Sequence, residues 1–250
     1  MVELNELVVY CDQFLAARDF DDHAPNGLQV EGERPIERLV TGVSASAALI
    51  AAATAWRADA ILVHHGWFWK NEPRSLIGIR AKRARELLKA GASLIAYHLP
   101  LDAHPQVGNN ATLARRLGWL DAAPASGHLG LLWCGRLAAP RTPQALAAEL
   151  TQRLGRASVC VAAGRDRVEH LAWCTGGGQG YLEAAAALGV DAFISGEISE
   201  HSTHLAREHG VAFIAAGHHA TECDGVRALG EHLATRFTME HRFIEIENPA

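Results

Sequence analysis

Ala60-Ile61-Leu62-Val63-His64-His65-Gly66 is a run of apolar residues that leads into two adjacent histidines and a glycine. The run predicts a buried strand whose C-terminal end carries a metal-binding pair. Neighbouring side chains of a regular strand point to opposite faces of the sheet, so an uninterrupted strand would not offer both rings to one metal. The two histidines would then bind one metal each, or share one metal if the chain turns at Gly66.

The composition is that of an ordinary globular protein. Of its 250 residues, 49% are hydrophobic and 20% are charged, and the formal net charge is -5. No apolar run reaches the roughly 18 residues of a membrane span, and the N-terminal residues lack a secretory pattern, so we expect a cytoplasmic protein. The net charge, with no long Lys/Arg block, argues against a dedicated nucleic-acid surface. The five cysteines form no CxxC pair, which disfavours a zinc ribbon or a disulfide framework.

Strand and helix patterns alternate along the chain, which predicts an α/β fold with mainly parallel sheets. A βαβαβ pattern over residues 38–98 recurs over residues 170–216, with Ala58–His65 matching Val190–Glu197. We therefore predict two similar α/β lobes. The first would comprise residues 1–122 and about 218–250, and the second about 123–217. In such sheets, functional sites gather outside the C-terminal ends of the strands.

Histidine is unusually frequent, with 14 residues, and several histidines fall where predicted strands end. Three groups combine imidazole with carboxylate: His64-His65, His98 with Asp102 and His104, and His218-His219 with Glu222. Such ligands suit Zn, Fe, Mn, Co or Ni. Five or six of them exceed the need of one structural tetrahedral zinc and suit two metals with open positions, which indicates hydrolase chemistry. The alternative is that the histidines are hydrogen-bonded structural residues.

Other segments also have both functional and structural interpretations. Gly176, Gly177 and Gly178 lie between a strand and a helix, where their N–H groups would hold an anion or merely form a tight turn. Trp67-Phe68-Trp69 would stack on a flat base or pack at a subunit interface. Glu197 aligns with His65 in the repeat and is a candidate general base or a partner of a metal ligand. His104 is a candidate partner of a ligand, whereas His201 and His204 fit a solvated helix face.

The segments that carry these residues resemble the Nif-three-like family, whose members bear the name GTP cyclohydrolase I type 2. The resemblance covers nearly the whole chain, residues 120–168 being the least similar. It implies two α/β lobes with a dinuclear metal centre between them, and a toroidal homohexamer built as a trimer of dimers. The segments concerned are HAPNGLQVEG (23–32), VHHGWFWK (63–70), HLPLDAHP (98–105), AWCTGGGQ (172–179) and AGHHATE (216–222).

The resemblance also implies a ligand set and an activity. The family's ligand positions fall on His64, His65, Asp102, His218 and Glu222, with Glu222 bridging two divalent metal ions. The implied reaction is metal-dependent hydrolysis, in which water attacks C8 of guanine in GTP and opens the imidazole ring. His98 and Glu197 are the candidates for proton transfer. The alternative is a non-catalytic metal-binding ring that acts in binding or assembly, including a role with single-stranded nucleic acid.

Overall fold

Two compact units make up the computed structural model, which describes residues 1–250. The first unit consists of Met1–Leu101 and Val226–Glu247, and the second of Asp102–Gly225 and Asn248–Ala250. Each unit contains one β-sheet, and the predicted architecture of two α/β lobes is confirmed. Sequence patterns placed the lobe boundaries near 122 and 217, whereas the compact units divide after Leu101 and after Gly225.

Strands and helices alternate along most of the chain. The strands are β1 (Gly27–Val30), β2 (Arg38–Ser44), β3 (Ala60–His65), β4 (Ser93–Ala96), β5 (Leu120–Pro124), β6 (Trp133–Arg141), β7 (Val159–Val161), β8 (Val168–Cys174), β9 (Ala192–Ser195), β10 (Ala212–Ala215) and β11 (Glu240–Phe243). The helices are α1 (Leu4–Phe14), α2 (Ala47–Ala55), α3 (Gly78–Ala90), α4 (Leu99–Ala103), α5 (Asn109–Leu117), α6 (Pro143–Leu154), α7 (Leu182–Ala187), α8 (Glu200–His209) and α9 (His218–Phe237). None of the helices is long and apolar enough to span a membrane.

The sheet of the first unit has the strand order β1-β4-β3-β2-β11. Its strands are parallel except β1, which pairs antiparallel with β4 at the edge. Ile61 and Leu62 are adjacent on β3 and both are buried. Because adjacent strand residues point to opposite faces, both faces of this sheet are covered. This explains why the strand appears in the sequence as a continuous apolar run rather than an alternating one.

The sheet of the second unit has the strand order β5-β6-β8-β9-β10-β7. Its centre, β8-β9-β10, is parallel, as the repeat predicted. The flanking pairs β5-β6, β6-β8 and β7-β10 are antiparallel. Apolar residues at 129–137 predict a strand, and the structure places β6 at Trp133–Arg141. The segment near the predicted lobe boundary at residue 122 forms β5.

The repeat is visible in matching hydrogen bonds made by Asp59 and Asp191, which we call the strand-start aspartates. Asp59 Oδ2 accepts from the N–H groups of Glu37 and Arg38 at 3.0 and 2.9 Å. Asp191 Oδ2 accepts from the N–H groups at 169 and 170, both at 3.0 Å. An arginine also pairs with each, at 3.7 Å for Arg34 on Asp59 and 3.0 Å for Arg165 on Asp191. The same device thus aligns the first strands of the parallel trio in each unit.

Helix ends follow the sequence signals. Ser46 accepts from the N–H of Leu49 at the start of α2, and Thr142 accepts from the N–H of Ala145 at the start of α6. Such side-chain caps satisfy amides that have no partner within the helix. Gly91 ends α3 in the left-handed conformation, as predicted.

Candidate metal centre

His64 and His65 lie at the C-terminal end of β3 in the first unit. The strand ends at His65, and the centroids of the two rings are 4.5 Å apart. Strand alternation therefore does not separate the rings.

His98 completes a three-histidine group with His64 and His65. One ligand nitrogen from each ring lies within 4.8 Å of the other two, close enough for the group to hold a metal ion. The sequence placed His98 in a group with Asp102 and His104 and suggested it for proton transfer, and the structure places its ring 5.0 Å from that of His64. Three imidazole nitrogens that converge on one point are a common donor set for zinc and related metals.

Hydrogen bonds fix the orientation of two of these rings. His64 Nδ1 donates to the carbonyl oxygen of Tyr97 at 3.0 Å. His98 Nδ1 donates to Asp22 Oδ1 at 2.7 Å. With the proton held on Nδ1, the lone pair lies on Nε2, which is the arrangement seen around metal-binding histidines.

Asp22, which the sequence did not single out, organises the approach to this group. Besides His98, it accepts hydrogen bonds from the amides of His23 and Leu99 and from the side chain of Asn26, at 2.6 to 3.0 Å. Burial alone would raise the pKa of Asp22, but the hydrogen bond and positive charge of His98, followed by the other donors, lower it well below its usual range. Asp22 is therefore a carboxylate that holds His98 in place.

Glu222, His218 and Glu197 form a chain of contacts in the second unit. Glu222 is buried, and its Oε1 lies 3.3 Å from His218 Nε2. His218 Nδ1 donates to Glu197 Oε1 at 2.6 Å. Burial alone would lower the pKa of His218, but the carboxylates of Glu222 and then Glu197 raise it to about 9. The pair thus creates a local preference for positive charge, which either a proton or a metal ion would satisfy.

The glycine loop that follows β8 surrounds this pair. A Cβ atom on Gly176 would lie 2.0 Å from Glu222 Oε1, and the residue has a φ of +63°. Its N–H donates to Thr221 Oγ1 at 3.0 Å, so this amide is already used within the protein. The structure thus gives Gly176 a steric role against the carboxylate, whereas anion binding by Gly176, Gly177 and Gly178 stays a prediction.

Asp102 is buried in the second unit and held by two side chains. Its Oδ1 accepts from Asn109 Nδ2 at 2.8 Å and from Thr175 Oγ1 at 3.3 Å. Asn109 in turn accepts from the N–H of Gly225 at 3.2 Å. Local sequence gives no sign of this role for Asn109, because its partner Gly225 lies 116 positions away in the chain. A carboxylate held this firmly is suited to bind a cation.

The model of one protein family, described as Duf34/NIF3 (NGG1p interacting factor 3), matches residues 2–249. The chain belongs to the Duf34/NIF3 family. The resemblance found in the sequence is therefore confirmed, and the His, Asp and Glu groupings of this family member could bind a metal.

Close relatives of this Duf34/NIF3 protein are similar over their full length. A protein of Allochromatium vinosum is 63% identical over 250 residues, covering 100% of this chain and 98% of that protein. A Pseudomonas aeruginosa protein is 49% identical over 251 residues, covering 100% and 99%. Both carry the name GTP cyclohydrolase 1 type 2 homolog.

Two solved structures share the Duf34/NIF3 fold along the whole of both chains. The protein ybgI, described as of unknown function, is 45% identical with a TM-score of 0.95 and 100% coverage of each chain. A Thermus thermophilus protein is 35% identical with a TM-score of 0.90 and the same coverage.

The remaining histidines singled out in this Duf34/NIF3 sequence have local contacts. His104 Nδ1 accepts from the amides of Gln106 and Val107, each at 3.2 Å, and so stabilises a turn. His204 Nε2 lies 3.3 Å from Glu200 one helical turn away, and both side chains are exposed. His201 is exposed on the same helix. These contacts agree with the interpretation of His201 and His204 as part of a solvated face.

Proposed function

We propose that this chain is a dinuclear-metal-dependent hydrolase of the GTP cyclohydrolase 1 type 2 kind. The observation that carries the proposal is the three-histidine group, in which Tyr97 fixes the ring of His64 with Nε2 as its ligand atom and Asp22 fixes the ring of His98 beside it. The names of the relatives support the choice of reaction. The proposed ligands of two divalent ions (Zn, Fe, Mn, Co or Ni) are His64, His65, Asp102, His218 and Glu222.

The proposed chemistry divides between the ions and the protein. Two such ions, when bound, would acidify water and stabilise the negative charge that develops on the substrate. Glu197 would hold the His218 ring through Nδ1, so we assign it a positioning role. His98 is the proposed proton carrier, because its ring lies 5.0 Å from that of His64 and is held in place by Asp22.

The proposal is tested by removing Glu222 and measuring metal content and turnover together. Wild-type protein should contain two ions per chain by elemental analysis and open the ring of GTP. Glu222→Ala should lose metal and reduce turnover at least 100-fold. The control is Glu200→Ala, on an exposed helix face, which should change neither. Full turnover and two metals in Glu222→Ala would contradict the proposed ligand set.

A non-catalytic role in binding or assembly is the second candidate, and one observation favours it. Residues 70–89 contain seven Lys/Arg and two Glu, although the whole chain is acidic. The metal-loaded protein should be incubated with nucleotides, phosphoesters and short peptides. Turnover of none of them, together with salt-dependent binding to single-stranded nucleic acid, would favour this candidate.

We also propose that the protein assembles as a homohexamer, a trimer of dimers, as its family resemblance implies. Light scattering behind size exclusion should give six times the 26.9 kDa mass of the chain. A mass of one or two chains at micromolar concentration would contradict this assembly.

A further inference from the structure

A cavity of about 120 Å³ lies in the first unit, next to Gly66 and the residues that follow it. The loop that follows β3 forms one wall, which includes Trp67 and Trp69. The Trp69 ring also contacts the histidines, with centroid distances of 5.0 Å to His98 and 5.9 Å to His65. A molecule that extends from the cavity past Trp69 would therefore reach the candidate metal ligands.

The lining of the cavity is also strongly cationic. Arg74, Arg80 and Arg83 line it, and Glu72 is the single carboxylate among the lining residues. Glu72 Oε2 already pairs with Arg80 Nη2 at 3.1 Å. Two guanidinium charges therefore remain without a carboxylate in the cavity wall.

Arg83 is a cavity-lining arginine whose hydrogen bonds are incomplete. Its Nε is buried and has no hydrogen-bond partner. A buried donor without an acceptor is costly, and guanidinium groups pair especially well with planar or tetrahedral oxyanions. An oxyanion in the cavity would supply the acceptor that Arg83 Nε lacks.

The size and the aromatic wall narrow the class of ligand. At 120 Å³ the cavity is far smaller than the roughly 300–1,000 Å³ of pockets that enclose a whole small molecule, so it takes one group of a larger ligand. Trp67 Nε1 donates to the carbonyl of Ala45 at 3.0 Å, and Trp69 Nε1 to the carbonyl of Gly66 at 3.2 Å. These bonds hold the indoles in fixed positions, which suits stacking on a flat ring.

We propose that this cavity is the phosphate subsite of the hydrolase, with Arg83 and Arg74 as anchors and with the flat ring of the substrate against Trp69. The inference rests on the proposed function, because it assigns the residues that would bind a phosphate group of that substrate. A terminal phosphate fits a small enclosed cavity better than the continuous backbone of a nucleic acid does.

The test compares ligands that differ by one phosphate. Calorimetric titrations of the full-length protein with its metals, at constant salt, should use GMP, guanosine and a single-stranded oligonucleotide that lacks terminal phosphates. Wild-type protein should bind GMP at least tenfold more tightly than guanosine. Arg83→Gln should weaken GMP binding at least tenfold and leave guanosine binding unchanged, and Arg83→Lys should restore part of the difference.

The matched control is Arg85→Gln, an equal loss of charge at an exposed position of the same helix that does not line the cavity. It should keep GMP affinity within twofold, and elemental analysis should show equal metal content in all variants. Equal losses in Arg83→Gln and Arg85→Gln would overturn the assignment, since a diffuse charge effect would explain both. Arg83-dependent binding of the oligonucleotide as tight as that of GMP would also overturn it.

Failure of the inference is distinguishable from failure of the proposed function. If GMP binds through Arg83 but no metal-dependent turnover occurs, the subsite is supported and the hydrolase is contradicted. If turnover of GTP occurs and Arg83→Gln leaves its KM unchanged, the hydrolase is supported and the subsite is contradicted.

Discussion

The Asp22 carboxylate accepts hydrogen bonds from four donors, two of them close in sequence and two of them 76 and 77 positions away. One of the distant donors is the ring of His98. In Asp22→Asn, an NH₂ group would replace one carboxylate oxygen and face donors instead of accepting from them. We expect a loss of roughly 1–3 kcal/mol in the free energy of unfolding. Metal affinity should fall by about 10–100-fold, because the ring of His98 loses its partner.

The measurements for Asp22→Asn are urea unfolding and metal titration against a competing chelator. The neighbouring Asp21→Asn is the control, since Asp21 is exposed and makes only a surface pair with Lys70. That variant should keep wild-type stability and metal affinity, because an exposed ion pair contributes little to folding. Equal effects of the two substitutions would contradict the role given to Asp22.

Substitution of Gly176 should also weaken metal binding, because this residue packs against Glu222. In Gly176→Ala the new methyl group would lie 2.0 Å from Glu222 Oε1, at a φ of +63°. Left-handed backbone costs a residue with a side chain roughly 1–2 kcal/mol, and the carboxylate must also move. We expect at least a tenfold loss of metal affinity, measured by the same titration.

The control for Gly176→Ala lies four residues along the same loop. A Cβ atom at Gly180 would meet nothing within 4 Å. Gly180→Ala should therefore keep wild-type metal affinity. A wild-type affinity in Gly176→Ala would show that the loop yields and that Glu222 does not depend on it.

Single residues differ in how far the sequence predicts them. His64, His65 and Glu222 can be found from the sequence because a ligand-type residue follows an apolar strand or recurs at helical spacing. Asp22 and Asn109 cannot, because their roles depend on partners 76 and 116 positions away in the chain. Local pattern finds the candidate ligands, whereas the contacts that support them require the tertiary structure.

Helices and strands also differ in how far the sequence predicts them. The buried parallel strands are predicted correctly because burial on both faces gives continuous apolar runs. The length of α9 is not predicted from the sequence, because Gly225 and Gly230 lower the helix propensity of this segment. A Cβ atom on Gly230 would lie 2.2 Å from His241 Nε2, which is a tertiary reason for glycine. Strand β11 is polar and short, and no apolar pattern indicates it.

The packing of β11 against α9 predicts a pH dependence of stability. His241 is hydrogen-bonded to Thr41 Oγ1 at 2.8 Å, and burial and then the charge of Arg227 hold its pKa below the usual value. The folded protein thus favours neutral His241. The contribution of neutral His241 to the free energy of unfolding is complete above about pH 6.5, the pKa of histidine in the unfolded chain. It is lost as the pH falls through the lower pKa that His241 has in the folded protein.

We expect the unfolding free energy of wild-type protein to fall more steeply below pH 6.5 than that of His241→Gln. The difference in slope should be at most about 1.4 kcal/mol per pH unit, the value for one proton. Urea unfolding at pH 5 to 8 measures it, with His201→Gln as a control at an exposed position. Parallel curves for wild type and His241→Gln would contradict the assignment.

Across the whole molecule, the two units share one plan and differ in their additions. Each has a parallel trio, β2-β3-β4 or β8-β9-β10, whose registers start beside a strand-start aspartate. The second unit adds three antiparallel strands, β5, β6 and β7, all outside the repeated segment. The repeated part was predicted because its apolar pattern occurs twice. Strand β5 was interpreted as a lobe boundary because its residues are mostly exposed and give no apolar pattern.

The shared plan predicts matched but separate effects of removing the strand-start aspartates. Asp59→Ala and Asp191→Ala each leave two backbone N–H groups without their acceptor, and each should cost roughly 1–3 kcal/mol. Hydrogen exchange should speed up in peptides covering residues 37–44 in the first variant and residues 169–174 in the second. The exposed Asp166→Ala should change neither peptide.

Faster hydrogen exchange that stays within one unit would show that the two repeated units are stabilised separately. Each aspartate has these hydrogen-bond and ion-pair partners inside its own unit. A local opening should therefore stay within the strand whose start has lost its acceptor. If Asp59→Ala instead exposed residues 169–174 as strongly as residues 37–44, the two units would unfold as one cooperative body. The repeat would then be a similarity of sequence pattern, and the two units would not be independently stable.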